Sequence, residues 1–283
     1  MSGMRGAACA VDVLVPTCNR PGALAVTLTA LAAQTLRTLR IVISDQSDGA
    51  GVFEQPEVLA VLRYLRATGR EVHALRHLPR RGMAEQRAFL LAQAGAPYCL
   101  FLDDDVLLEP DLAARLLRSI QEQQCGFVGS ALHGLSYLDQ VRPHQQHIEF
   151  WEAGVGPETV APGAPAWERH HLHSAANLFH VQSRLGLDAE RTRHYRVAWI
   201  GGCVLFDTVK LREAGGFDFW PALPVAHCGE DVLAQLRVMA RFGGCGIIPS
   251  GAYHMELPTT ISEREADAPR LLWGAVADRS PAP

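Results

Sequence analysis

The sequence predicts an α/β fold with a mostly parallel central sheet flanked by helices. Two observations carry this: the first half alternates short branched-apolar runs with amphipathic stretches, and three of those runs end in polar clusters. The first run is VDVLVP (11–16), with the length and apolar content of a buried strand. GALAVTLTALAAQ follows with apolar residues at three-to-four spacing, a helical period. The same alternation repeats with LRIVISD (39–45), VLAVLRYLRAT, EVHALRH (71–77), MAEQRAFLLAQA and PYCLFLD (97–103). A fourth helix is expected in EPDLAARLLRSI, with Pro110 in its first turn and Asp111 at its positive start.

Residues 132–197 read differently. HGLSYLDQVRPHQQH and GVGPETVAPGAPAWERHH have little periodicity and much Gly and Pro, so this stretch is expected to be an irregular insertion or a lid that orders over a ligand, and not a domain. Patterning resumes with VAWIGGCVLFD (197–207), the helices DTVKLREAGG and EDVLAQLRVMARFGG, and the short strand CGIIPSG. The expected organisation is one domain over 1–270, with a ligand-binding half (11–131), the insertion (132–197) and a second half (198–257). The polar tail (258–283) is expected to be loosely held.

Composition narrows the function. With 283 residues, 48% hydrophobic and 20% charged, the chain has ample material for a core and is not disordered. A formal net charge of −4 argues against a nucleic-acid partner. The N-terminal stretch lacks the charged–apolar–cleavage order of a signal peptide. No run approaches the roughly 20 apolar residues of a transmembrane span, so a cytoplasmic location is expected, with attachment at the inner membrane surface left open. Seven scattered cysteines form no C-x-x-C pair, and most read as small buried hydrophobes.

In parallel sheets ligands bind at the carboxyl ends of the strands. There the sequence places PTCNR (Pro16–Arg20), SDQSD (Ser44–Asp48) and DDD (Asp103–Asp105). Asp, Ser and Asn are also ordinary loop residues. The three adjacent acids are harder to explain without a cation. In an extended backbone Asp103 and Asp105 project to one side, where they can share magnesium or manganese with a diphosphate, and Asp104 faces away. An acidic loop capping the next helix is the alternative.

These segments, with RGMAEQRAFLL, FLDDDVLLEPD, WIGGCVLFD, GGFD and HCGEDVLAQLR, occur in the order seen in family 2 glycosyltransferases with a GT-A fold, which the chain resembles from residue 11 to about 254. The resemblance implies a transferase that moves a sugar from a nucleotide-diphospho-sugar, UDP favoured, to a carbohydrate or lipid-linked acceptor, with Mn2+ or Mg2+. It implies a nucleotide-sugar site at Pro16, Thr17, Arg20, Asp45, Ser47, Arg81, Arg87, Asp103 and Asp104, and metal ligands Asp105, Asp103 and His254. It further implies a catalytic base at Asp231, or its neighbour Glu230, and inversion by single displacement. Sugar contacts are expected at Trp199, Gly201, Gly202 and Trp220. Two departures stand out: Asp45-Gln46-Ser47 replaces the usual acidic-glycine-serine order, and Arg80 and Arg81 stand where asparagine is common. Acids at a helix start are favoured by its dipole without any function. His170, His171 and His173, with His144 and His147, form a polar lid or, if the segments meet, a zinc site. A sugar-nucleotide pyrophosphorylase would need a glycine-rich basic loop after the first strand, and PTCNRPG lacks one. A non-catalytic binding protein would be expected to have lost some of the acids, and Asp45, Asp103, Asp105 and Asp231 are all present.

Overall fold

A computed structural model describes residues 8–259 and 265–277. The first half is βα-alternating: β1 (Val11–Thr17), α1 (Pro21–Ala32), β2 (Leu39–Asp45), α2 (Pro56–Ala67), β3 (Glu71–Arg76), α3 (Met83–Gln93) and β4 (Tyr98–Leu102). A two-stranded β-ribbon arm (β5, Val106–Leu108) and α4 (Leu112–Gln123) follow, then β6 (Phe127–Gly129). The rest comprises α5 (Asn177–Leu185), β7 (Arg193–Tyr195), β8 (Cys203–Asp207), α6 (Thr208–Glu213), α7 (Glu230–Phe242), β9 (Gly244–Ile248), β10 (Ala252–His254) and α8 (Ala268–Ala277).

Eight strands form one sheet in the order β3-β2-β1-β4-β8-β6-β9-β7. The pairs β1–β2, β2–β3, β1–β4 and β6–β9 are parallel, whereas β8 runs antiparallel between β4 and β6 and β7 closes the edge antiparallel to β9. β5 pairs with β10 away from the main sheet.

Strand alternation splits the core into two layers. Val11, Val13, Val15, Ile41, Ile43, Leu100 and Leu102 face the layer covered by Leu24, Leu28 and Leu31 of α1 and Leu112 and Leu116 of α4. Leu14, Val42, Cys99 and Phe101 face the opposite layer with Leu90 of α3 and Leu233 and Leu236 of α7. The period of two thus reads on both faces, as a doubly covered sheet requires. Asp12 is the polar exception inside β1. It is fully buried and satisfied by Arg40 at 2.7 and 2.8 Å and by the amides of Gly95 at 2.7 Å and Ala96 at 2.8 Å.

Two expectations of local structure are corrected, and the structure adds detail for two further segments. The α4 helix starts at Leu112, so Pro110 lies outside it. Asp111 occupies the N-cap position without capping and pairs with Arg115 at 3.1 Å. Only Cys203–Asp207 of VAWIGGCVLFD is strand; Gly201 and Gly202 interrupt the run. Residues 132–197 contain α5, the edge strand β7 and a nine-residue 3-10 helix at Pro165–His173. They bury Val160, Leu172, Leu178, Val181 and Tyr195 in the same core layer as α7, so the insertion is built into the domain. The tail also docks: α8 packs beside α7, and Cys228 and Ala268 exchange backbone hydrogen bonds with Ala266 and Cys228 at 3.0 and 2.9 Å. The remainder of the tail, residues 260–264 and 278–283, lies outside the described residues. Among those described, no helix is long and apolar enough to cross a membrane.

Candidate active site

Two cavities, about 530 and 600 Å³, open at the carboxyl ends of β1 and β4 and meet along a seam of Asp103, Gly201, Asp231, His254 and Leu257. The first is lined by Pro16, Thr17 and Arg20 after β1, by Arg87 of α3, by Asp103, Asp104 and Asp105, and by Glu230 at the start of α7.

The acids do not sit on an extended strand. A turn follows Leu102, which ends the two-residue alternation. Asp104 and Asp105 therefore share one partner: Arg20 Nη1 lies 3.4 Å from Asp104 and 2.8 Å from Asp105. Thr17 Oγ1 donates to Asp104 at 2.6 Å. Burial, with Asp105 and Asp103 close by, pushes the Asp104 carboxyl up to about 6 against these hydrogen bonds. Asp103 belongs to a different group. Arg87 donates to it through Nη2 at 3.0 Å and to Glu230 through Nε at 2.9 Å. Arg87 is buried at 6% exposure, and its charge is held against desolvation by Asp103, Glu230 and Asp231.

This arrangement separates the two acids that the sequence left together. Glu230 is 4% exposed and committed to Arg87. Asp231 is partly exposed and lines both cavities. Its carboxyl is pushed up to about 7 by desolvation and by Glu230 and Asp103, against the attraction of Arg87. Gly229, with φ +75°, caps α7 in the left-handed region, and a Cβ there would meet Pro269 Cδ of α8 at 2.8 Å. The tail helix therefore fixes the loop that presents Asp231.

His254 Nε2 lies 3.6 Å from Asp105. Its Nδ1 accepts the Glu256 amide at 2.8 Å, which places the proton of a neutral ring on Nε2, facing Asp105. A metal-binding imidazole normally donates through its second nitrogen, so His254 would have to exchange this hydrogen bond in order to ligate.

Not every expected residue reaches a cavity. Asp45 is fully buried, accepting from the Ser47 and Val52 amides at 2.8 and 3.1 Å and from Arg76 at 2.9 Å. Ser47 is 2% exposed, and its hydroxyl accepts the Asn19 amide at 2.6 Å. Ser47 thus ties the loop after β2 to the loop after β1, and Asp45 ties it to Arg76 of β3; neither lines the two cavities. Arg81 is exposed and Trp220 is half-buried against the α7-side core layer; neither lines either of these two cavities.

The second cavity is lined by Trp199, Gly201 and Gly202, and also by Tyr137, His170, His173 and Glu256, which the sequence did not single out as sugar contacts. Gly202 has φ +78°, and a Cβ there would meet Leu132 Cδ1 at 2.5 Å and Asp103 Oδ2 at 3.3 Å. Trp199 stacks on His170 (centroids 4.9 Å, 11° between planes) and abuts Trp167 at 4.6 Å. The histidines are engaged one by one: His170 with the Trp167 carbonyl at 2.8 Å, His171 with Glu168 at 3.0 Å and His173 with the Tyr195 hydroxyl at 3.0 Å. Among the described residues no group of three or more His, Cys, Asp or Glu is arranged to hold a metal, neither at these histidines nor around Asp103, Asp105 and His254, so the zinc reading has no support from geometry and the expected cation ligands are not preassembled. Burial holds the His173 ring neutral, its pKa lowered to about 4.

Residues 12–183 match the family described as glycosyl transferase family 2. Among solved structures, Staphylococcus aureus TarS is similar at 16% identity and a TM-score of 0.56, over 87% of this chain and 36% of that one. TarS 1–349 in complex with UDP-GlcNAc is similar at 15% identity and a TM-score of 0.57, over 89% of this chain and 60% of that one. The chain thus spans between about a third and three fifths of the length of these structures. No curated protein matches the sequence. With more than half of its length matched and its sheet superposing on those structures, the chain belongs to glycosyl transferase family 2 and has the GT-A fold.

Proposed function

We propose that the protein is a metal-dependent glycosyltransferase of the hexosyl or N-acetylhexosaminyl class, using a nucleotide-diphospho-sugar donor. In this reading the first cavity holds the donor, the second holds the acceptor, and Asp231 stands at their junction as the general base. The observation that carries the reading is the seam: a carboxyl pushed up to about 7 is shared by both cavities, while its neighbour Glu230 is consumed by Arg87. A base must lie within hydrogen-bond reach of the hydroxyl that it deprotonates, and only the seam meets both substrates.

A cation fits the donor side on charge grounds. Five carboxyls line the first cavity, Asp103, Asp104, Asp105, Glu230 and Asp231, against two guanidiniums, Arg20 and Arg87. A diphosphate entering alone would meet net repulsion. Asp105, with Asp103 and a re-oriented His254, would hold manganese or magnesium, the remaining ligands being water and phosphate oxygens. Such an ion would neutralise the leaving diphosphate.

The chain's own residues then perform a single displacement. The acceptor hydroxyl gives its proton to Asp231 as its oxygen bonds to the anomeric carbon, and the anomeric carbon–oxygen bond to the diphosphate breaks. Attack opposite the leaving group inverts the configuration. Arg87 keeps Asp103 and Glu230 in place around the base. Calorimetry with UDP and GDP, with and without manganese, tests the donor site; the UDP-GlcNAc of the TarS complex makes uridine the first choice. Tight nucleotide binding that ignores both metal and chelator would refute the metal role, and no binding of any nucleotide diphosphate would refute the reading itself.

A further inference from the structure

The second cavity differs from the first in charge and in what stands at its mouth. No arginine or lysine lines it, whereas the carboxyls of Asp103, Asp231 and Glu256 do. Away from the seam, a phosphate or carboxylate group in the acceptor would therefore meet no guanidinium or ammonium, and the cavity carries three acids to repel it. Half-buried Trp199, braced by His170, supplies a flat apolar wall of the kind that suits a sugar ring.

The mouth is apolar. Leu135, Tyr137 and Leu138 belong to one tight turn and are 39, 41 and 38% exposed; Leu257, distant in sequence, is 38% exposed. The two segments are clasped together: the Ser136 amide and hydroxyl donate to the Glu256 carboxylate at 3.0 and 2.6 Å. Tyr137 and Leu257 line the cavity themselves, and the exposed Leu135 and Leu138 stand in the same turn as Tyr137. Single exposed leucines are ordinary. A group of them held by a polar clasp at a cavity entrance marks a binding surface.

We infer that the acceptor is an uncharged glycoside or polyol bearing an apolar substituent, its hydroxylated head against Trp199 and its apolar part on the Leu135–Leu138 turn and Leu257. This deepens the proposed function and rests on the second cavity being the acceptor site.

The test compares matched ligands on the full chain with UDP and manganese present. A panel of neutral methyl hexosides, their octyl counterparts below micellar concentration, and octyl phosphate would be titrated by ligand-observed NMR. At least one octyl hexoside should bind tenfold or more tighter than its methyl partner, and octyl phosphate should bind no better than the methyl sugars. The double variant Leu135→Ser/Leu138→Ser should lose the octyl advantage and keep its affinity for UDP. Equal affinity of methyl and octyl forms, no octyl hexoside binding, octyl phosphate binding as well as the glycosides, or an octyl advantage that survives in the double variant would each overturn the inference. So would binding to phosphatidylglycerol vesicles that the double variant abolishes without any octyl preference, which would make the turn a membrane contact. Normal UDP binding throughout keeps these outcomes separate from failure of the donor-site reading.

Discussion

Asp231→Asn and Glu230→Gln should dissociate catalysis from stability, although the two residues are adjacent and equally acidic. Glu230 and Arg87 are both buried, with side chains 5 and 7% exposed, and bonded at 2.9 Å. Removing one partner of a buried pair costs about 3–5 kcal/mol, and losing a hydrogen bond to a charged group about 1.5–3 kcal/mol. Glutamine keeps the shape and one acceptor oxygen, so Glu230→Gln is placed at about 2–3 kcal/mol. For a domain of this size that lowers Tm by about 3–5 °C. Asp231→Asn removes a charge that burial disfavours, so its Tm should stay level or rise. Its turnover should fall by about 100-fold or more, the usual contribution of general acid–base catalysis. Release of nucleoside diphosphate during donor hydrolysis and acceptor transfer, with calorimetric melts, measures both effects. Near-normal turnover in Asp231→Asn together with collapse in Glu230→Gln would move the base to Glu230. Normal turnover in both would remove this segment, and the argument for inversion, from the mechanism.

Three further outcomes are expected. Asp105→Asn should weaken UDP binding in manganese by about tenfold or more, about 1.4 kcal/mol, and leave uridine binding unchanged; calorimetry with and without chelator checks it. Trp199→Ala should raise the acceptor KM by about 3- to 10-fold, the worth of one aromatic contact, without changing donor affinity in steady-state kinetics. Asp12 has a lowered pKa: burial alone would raise it, but Arg40 and the Ala96 and Gly95 amides outweigh that. Its stabilisation is therefore present above the unfolded-state value of about 3.9 and lost as pH falls through the lower folded value. Asp12→Asn should cost about 3 kcal/mol at pH 7, the low end for breaking a buried ion pair, and flatten the acid limb of a denaturant-midpoint profile, whereas an unchanged limb would show that Asp12 is not linked to acid unfolding.

The sheet and its helices were legible because they rest on local periodicity. Val11, Val13 and Val15 face one layer and Leu14 the other, and that alternation is written in the residues themselves. The site was legible as a set of segments but not as a set of partners. Asp45 was expected to meet a ligand, yet Arg76 and two amides of its own loop occupy both oxygens. Nothing in SDQSD foretells that, because the arginine arrives from the next strand. Glu230 and Arg87 lie 143 positions apart, so their pairing could not be read from either motif. Irregular residues 132–197 hid most, since a 3-10 helix lacks the 3.6-residue period that would reveal that Leu172 is core and His170 braces Trp199. The aromatic wall of the second cavity was therefore visible only as Trp199.

The three consecutive aspartates are the clearest case of one sequence feature serving two ends. Adjacent like charges repel, and here the repulsion is relieved by dividing them: Asp104 and Asp105 go to Arg20, and Asp103 goes to Arg87. Arg20 also donates to the Pro258 carbonyl, and Arg87 continues to Glu230 beside the base. Each guanidinium thus ties the acidic turn to the chain segment on one side of the seam, Arg20 to the segment after β10 and Arg87 to the start of α7. Charge compensation and positioning are the same interactions here, which explains why arginine and not lysine suits both places: its planar fork bonds two partners at fixed geometry, where an ammonium would act as a point charge. Lysine at position 87 would keep the charge and lose the simultaneous grip on Asp103 and Glu230, and with it the fixed placement of the neighbouring Asp231.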